Sequence, residues 1–126
     1  MSTRDSEASA ELQALLRQDR RELAAGLFAS AFVPLIDDPY PMVTGARLGE
    51  TLARDAGVRV SSWSWSIGRN PDATLARLIL ELVLLWERAG LACRGLALDG
   101  NEVVLFAYGE ELLRTGGIDA VRRALG

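Results

Sequence analysis

The stretch that decides the fold is residues 71–90, PDATLARLILELVLLWERAG. Apolar side chains recur at helical spacing, and the pattern predicts a long helix that begins at Pro71 and is closed by Gly90. Leu80 and Leu84 widen the apolar stripe until few charged positions remain: Arg77, Glu81, Glu87 and Arg88. A helix that is apolar on so many sides must be covered on more than one of them.

Strand patterns lie on both sides of this helix. Residues 58–67 are rich in β-branched and aromatic side chains, which predicts a strand. Residues 91–98 and 102–108 flank Asp99-Gly100-Asn101, a strong hairpin signal. A strand, a crossover helix and a hairpin together predict a small mixed sheet of three strands.

The remaining segments read as helices. An N-terminal helical pair is predicted at residues 10–33 and 45–56, the first ended by prolines and the second capped by Thr44 and stopped by Gly57. Short closing helices are expected at residues 109–115 and 118–125. The fold class is therefore α+β. Residues 1–9 are interpreted as a disordered tail, and residues 10–126 as a single α+β domain.

The basic residues are all arginine: the chain has 14 Lys plus Arg, with no lysine among them, and no histidine. Histidine triads, histidine-bearing zinc sites and the lysine-bearing phosphate loop are thereby excluded. Carboxylate or tyrosine chemistry, the lone thiol of Cys93, and a bound cofactor remain open to an enzyme. This profile favours a non-enzymatic protein, and we expect neither a metal nor a cofactor.

Charge and hydropathy limit the partners. A net charge of -3 and a pI near 5.0 argue against nucleic-acid binding, which relies on clustered basic residues. The uncharged stretch at residues 23–36 is too short to span a membrane. A single cysteine cannot form an internal disulfide, which favours a reducing compartment or simply a disulfide-free fold, and we expect a cytoplasmic protein. The arginine-rich, lysine-free composition is typical of a bacterium with a GC-rich genome.

Several side chains are candidates for contact with a partner or ligand. Trp63 and Trp65 lie two apart, on one face of the predicted strand, where they can stack on a ligand or peptide or form a core or dimer seam. Arg69, just before the long helix, is either an anion contact or part of a solvated loop. The long helix adds three candidates to this surface: Leu80, Leu84 and Trp86.

An alternative site is the carboxylate cluster of Asp37, Asp38 and Tyr40. Neighbouring carboxylates can coordinate a hard cation or act as acid and base, or they can cap a proline-rich turn. Cys93, on a hairpin strand, is interpreted as a small buried apolar residue.

Two partial resemblances bear on function. From residue 75 to residue 125, the apolar helix, the GLALDGNEVVLFAY hairpin and the closing helix resemble the small acidic chaperones of bacterial secretion systems, which are dimers that hold an unfolded segment of another protein. Those chaperones place several strands directly after their first helix, whereas residues 45–56 here look helical. FVPLIDDPYPMVTGARLGETLARDAG, residues 32–57, is similar to the two-helix opening of V4R-type ligand-binding domains, but their further helix and cysteine-bearing end are missing.

These observations predict a homodimeric adaptor or chaperone-like accessory protein. It would bind another protein through the apolar helix or the Trp63/Trp65 strand, with no nucleic-acid or membrane partner. The alternatives are a V4R-like domain that binds an apolar small molecule between the helices at residues 45–56 and 71–89, and an enzyme that uses Asp37, Asp38 and Tyr40.

Overall fold

A computed structural model describes residues 10, 13–57, 73–95 and 102–126, and confirms the α+β class. Its helices and strands follow in chain order: α1 (Arg20–Phe32), a 3-10 turn (Val33–Leu35), β1 (Met42–Thr44), α2 (Gly45–Ala56), α3 (Ala73–Ala89), β2 (Ala92–Arg94), β3 (Glu102–Leu105) and α4 (Ala107–Ala124). Among the described residues, α1 and α2 contact β1, and α3 contacts β2.

The sheet has three strands in the order β1-β3-β2, and both of its described pairings are antiparallel. The two strands of the predicted hairpin pair antiparallel, with Cys93 facing Val104 in the β2–β3 register. The predicted turn at Asp99-Gly100-Asn101 lies outside the described residues. The third described strand is β1, whose Val43 pairs with Val103, and the sequence did not predict it because it is only three residues long and follows prolines. The strand predicted at residues 58–67 lies outside the described residues, so the mixed sheet that it would complete stays a prediction.

The first predicted helix is divided in two, which corrects the prediction of one continuous helix at residues 10–33. Residues 13–16 are helical, the chain turns at residues 17–19, and α1 begins at Arg20. The Asp19 carboxylate Oδ1 accepts a hydrogen bond from the Arg21 backbone N–H at 3.0 Å. An aspartate in this position accepts a hydrogen bond from a free amide at the helix start and so favours the beginning of a new helix. The leucine periodicity of the sequence continues across this break, although the helical backbone does not.

The ends of α2 and α3 follow the sequence signals. Thr44 caps α2 by accepting a hydrogen bond from the Arg47 backbone N–H at 3.1 Å. Gly57 and Gly90 come directly after the two helices with φ angles of 72° and 75°. Glycine adopts this left-handed conformation without the steric cost of a side chain, so both predicted stops are confirmed.

The last helix differs from its prediction at one end and agrees at the other. Residues 106–108 were expected to continue the hairpin strand, but β3 ends at Leu105 and α4 begins at Ala107, with Phe106 in the capping position. Gly117, at φ 61° and ψ -148°, interrupts α4 and gives the two predicted helical segments. Only glycine adopts this conformation readily.

The core is built around the α1–α3 contact. Trp86 is fully buried, and its ring lies at 5.4 Å and 5.9 Å from those of Phe28 and Phe32, centroid to centroid. The indole Nε1–H donates to the Ala24 carbonyl oxygen at 2.9 Å. Edge-on aromatic packing and this satisfied donor fix the crossing of the two helices.

The packing of α4 along α1 is bordered by ion pairs at both ends. Arg122 of α4 pairs with Glu22 near the start of α1, and Arg114 donates to the Ile36 carbonyl oxygen and to Asp37 beyond its end. The two helices therefore run antiparallel. None of the helices in the described part of the chain is long and apolar enough to cross a membrane.

Candidate protein-binding surface

The outward face of α3 exposes two leucines. Leu80 and Leu84 retain 39% and 41% of their accessible surface, whereas Leu75, Leu78 and Leu82 are buried. At 100° per residue, five exposed positions fall within about 100° of the helix circumference. We call this set the α3 stripe: Arg77, Leu80, Glu81, Leu84 and Arg88.

The charge of the α3 stripe is positive. The Glu81 carboxylate is already neutralised by Arg20, whose Nε lies 3.0 Å from Glu81 Oε2. Arg77 and Arg88, one near each end of the stripe, form no ion pair with any described residue. The two leucines thus lie between two exposed arginines that can face a partner.

Trp86 does not belong to this surface. The sequence grouped it with Leu80 and Leu84, but its side chain is fully buried against Phe28 and Phe32. Because this helix is apolar around most of its circumference, its sequence does not show which side faces the core. In the structure, Trp86 lies on the side that faces the core. Its role in the described structure is packing. The other predicted contact residues, Trp63, Trp65 and Arg69, lie outside the described residues.

The two carboxylates of the alternative site form structural contacts: Asp37 forms an ion pair, and Asp38 accepts a hydrogen bond within its own loop. Asp37 pairs with Arg114, whose Nη2 lies 2.9 Å from Asp37 Oδ1. Asp38 Oδ1 accepts a hydrogen bond from the Tyr40 backbone N–H at 3.1 Å, the Asx turn expected before proline. Bonding to Asp37 raises the pKa of Arg114.

A second exposed surface, which the sequence did not predict, adjoins that loop. Tyr40, Phe106 and Tyr108 are 59%, 43% and 49% exposed. The Leu105 backbone N–H donates to the Pro41 carbonyl oxygen at 3.0 Å, so the residues on either side of this bond, Tyr40 and Phe106, are neighbours across the end of the sheet. The signal was present in the sequence as LFAY, but it was assigned to a strand rather than to a helix start.

Four carboxylates belong to the same two segments of the chain, residues 37–40 and 106–111: Asp37, Asp38, Glu110 and Glu111. Glu110 and Glu111 follow in the first turns of α4, and Arg114 links Glu110 to Asp37. Among the described residues, Arg114 is the single arginine in an ion pair with any of these four carboxylates. The rings and the carboxylates do not share one face, because at 100° per residue Tyr108 and Glu110 lie about 160° apart around α4.

Cys93 is half-buried rather than buried, which corrects its interpretation as a core residue. Its thiol donates to Glu87 Oε2 at 3.4 Å, and Glu87 also accepts from the backbone N–H and the guanidinium of Arg94. The bond to Glu87, burial and the nearby negative charge together raise the pKa of Cys93. Burial opposes ionisation of Glu87, but its hydrogen bonds from Arg94 and Cys93 outweigh burial and lower the pKa of that carboxyl group. The arrangement suppresses the thiolate.

No cluster of three or more metal-ligating side chains occurs in the described part of the chain. Searches of protein-family models, curated proteins and solved structures found no match to this chain.

Proposed function

We propose that this protein is a non-enzymatic, homodimeric adaptor or chaperone-like accessory protein of the cytoplasm that binds a segment of another protein through the α3 stripe. The observation that carries the proposal is the exposure of Leu80 and Leu84 on the same helix that buries Leu78, Leu82 and Trp86 in the core. Trp63 and Trp65 stay a predicted part of the same activity.

The physical basis is the pairing of an apolar helix face with an amphipathic segment. Leucines at positions i and i+4 form a short ridge that an opposing helix accepts between its own side chains. Arg77 and Arg88 add charged contacts at the rim, where arginine is favoured in protein interfaces. Two leucines bury a small area, so we expect a transient contact rather than a permanent one.

The test is partner capture by an affinity-tagged chain. We expect the wild-type protein to retain a defined protein and the double variant Leu80→Ser/Leu84→Ser to lose it. The matched control is Ile118→Ser, because Ile118 has the same 39% exposure as Leu80 but lies on α4. Capture should persist in this control.

Native mass spectrometry of the purified wild-type protein separates this function from its rivals. A protein partner lost only in the stripe variant supports the proposal. A retained apolar small molecule, or capture that is unchanged in the stripe variant, would contradict it.

A further inference from the structure

We infer that residues 118–126, which we call the C-terminal arm, open as one unit about Gly116 and Gly117. The first part of α4, residues 107–115, stays packed against α1 and the sheet during this opening. The device is a hinged arm at the end of the fold, and it depends neither on the α3 stripe nor on the proposed function.

The break in α4 separates the C-terminal arm from the rest of the helix. Gly117 has a φ of 61° and a ψ of -148°, a conformation outside the helical region that only glycine adopts readily. Helix formation is cooperative because each residue continues the geometry of the one before it. A residue that does not continue this geometry interrupts the cooperativity, so the two parts of α4 can gain or lose structure separately.

The first part of α4 is held by three other parts of the molecule. Gly109 lies so close to them that an added Cβ atom would be 2.9 Å from Phe28 Cζ, on α1, and 3.0 Å from Leu105 Cδ1, on β3. Arg114 donates a hydrogen bond to the Ile36 carbonyl oxygen at 3.0 Å, in the loop after α1. Opening this part would break contacts with a helix, a strand and a loop together.

The C-terminal arm has fewer anchors. Val121 is its one fully buried side chain, and Ala124 and Leu125 are partly buried. Its single ion pair with another described element joins Arg122 Nε to Glu22 Oε1 at 2.8 Å, and both side chains are well exposed, so the pair contributes little to stability. A segment with few buried apolar contacts opens at a lower free energy than the rest of a fold.

The position of the buried anchor makes the opening all-or-none. Val121 lies in the middle of the arm, whereas Ile118, next to the break, is exposed and Asp119 pairs with Arg122 of the arm itself. Once Val121 leaves the core, the residues between it and Gly117 keep no buried large side chain and no ion pair outside the arm. Opening therefore moves the whole arm and brings Val121, which the closed molecule hides, into contact with solvent.

Residue-resolved amide hydrogen exchange of the full chain, followed by NMR, tests the hinge. The protected amides of the C-terminal arm should share one opening free energy and exchange at least about tenfold faster than those of residues 110–114. The change between the two rates should fall at Gly117. Ordinary fraying would instead give protection that rises steadily from residue 126 inward and passes Gly117 without a step.

Gly116→Ala should hold the arm open. An added Cβ atom at this position would lie 2.6 Å from Ala120 Cβ, too close for the first turn of the arm to keep its place. The arm amides should lose their protection, while residues 110–114 keep slow exchange and unchanged chemical shifts. Gly26→Ala is the matched control, since nothing lies within 4 Å of its added Cβ atom, and its arm should stay protected as in the wild type.

Three results would overturn the inference. The first is a wild-type arm whose amides are protected as strongly as those of residues 110–114, and the second is the steady gradient that fraying produces. The third is a folded Gly116→Ala variant whose arm amides stay protected. The wild-type profile decides between hinge and fraying by itself, even where Gly116→Ala does not fold.

Discussion

Gly109 lies where α4 passes closest to the rest of the molecule. A Cβ atom at this position would lie 2.9 Å from Phe28 Cζ, 3.0 Å from Leu105 Cδ1, and also against the Leu91 carbonyl oxygen. The Leu91 carbonyl already accepts the Phe106 backbone N–H at 2.9 Å. The missing side chain is therefore what allows the start of α4, and with it Phe106 and Tyr108, to reach the end of the sheet.

We expect Gly109→Ala to destabilise the protein by about 1 to 3 kcal/mol, because the clash with backbone exceeds the gain in helix propensity. Urea unfolding measures the change. Gly26→Ala in α1 is the matched control, since nothing lies within 4 Å of the place that an added Cβ atom would occupy. That control should be neutral or stabilising by up to about 1 kcal/mol, and an equal effect of both substitutions would contradict the packing argument.

The thiol of Cys93 gives a second prediction at this scale. Glu87→Gln removes the negative charge that disfavours the thiolate, so the pKa of Cys93 should fall and its alkylation should be faster at a fixed mildly alkaline pH. The pH profile of iodoacetamide labelling measures this shift. Glu102→Gln, on the neighbouring strand β3, should leave the profile unchanged, and an unchanged profile in Glu87→Gln would refute the assigned cause.

At the scale of elements, capping decides where α1 begins. Asp19→Ala should cost about 1 kcal/mol of unfolding free energy, because the Arg21 amide loses its acceptor. Asp19→Asn keeps a side-chain acceptor and should cost much less. Chemical denaturation of both variants provides the comparison, and equal losses would show that the charge rather than the cap is responsible.

The predictability of the elements depended on how local their signals are. Thr44, Gly57, Gly90 and Gly117 each mark an end or a break by themselves, so the bounds of α2, the end of α3 and the interruption of α4 followed from the sequence. The break before α1 did not, because leucine periodicity continues across it. The three residues of β1 acquire their conformation from pairing with β3, a long-range contact that no local pattern contains.

At the scale of the whole molecule, the candidate surface was only partly predictable. Leu80 and Leu84 were expected to widen the apolar stripe beyond what the core covers, and both are exposed. The same reasoning placed Trp86 beside them, although the aromatic pair Phe28 and Phe32 buries it. Tyr40 and Phe106 become neighbours only once β1 and β3 have paired, so no local pattern could have placed them together.

The arginine-only chemistry has a consequence for how the molecule responds to acidity. With no histidine or lysine, no side chain of ordinary pKa titrates near neutrality, and the raised pKa moves the Cys93 thiol further from it. The lowered pKa of Glu87 contributes stability that is present above its usual value of 4.5 and is lost as the pH falls through the folded value. The raised pKa of Cys93 contributes stability that is lost as the pH climbs above 9.0.

Between these limits the unfolding free energy should form a plateau, flat from about pH 6 to about pH 8. Urea unfolding across that range measures the free energy of unfolding. A dependence on pH that corresponds to one or more protons bound or released on unfolding would contradict the expectation. In a compartment whose acidity drifts, such a molecule has almost no buffering capacity of its own: its charge pattern, and any recognition that depends on it, stays constant where a histidine-bearing protein would switch.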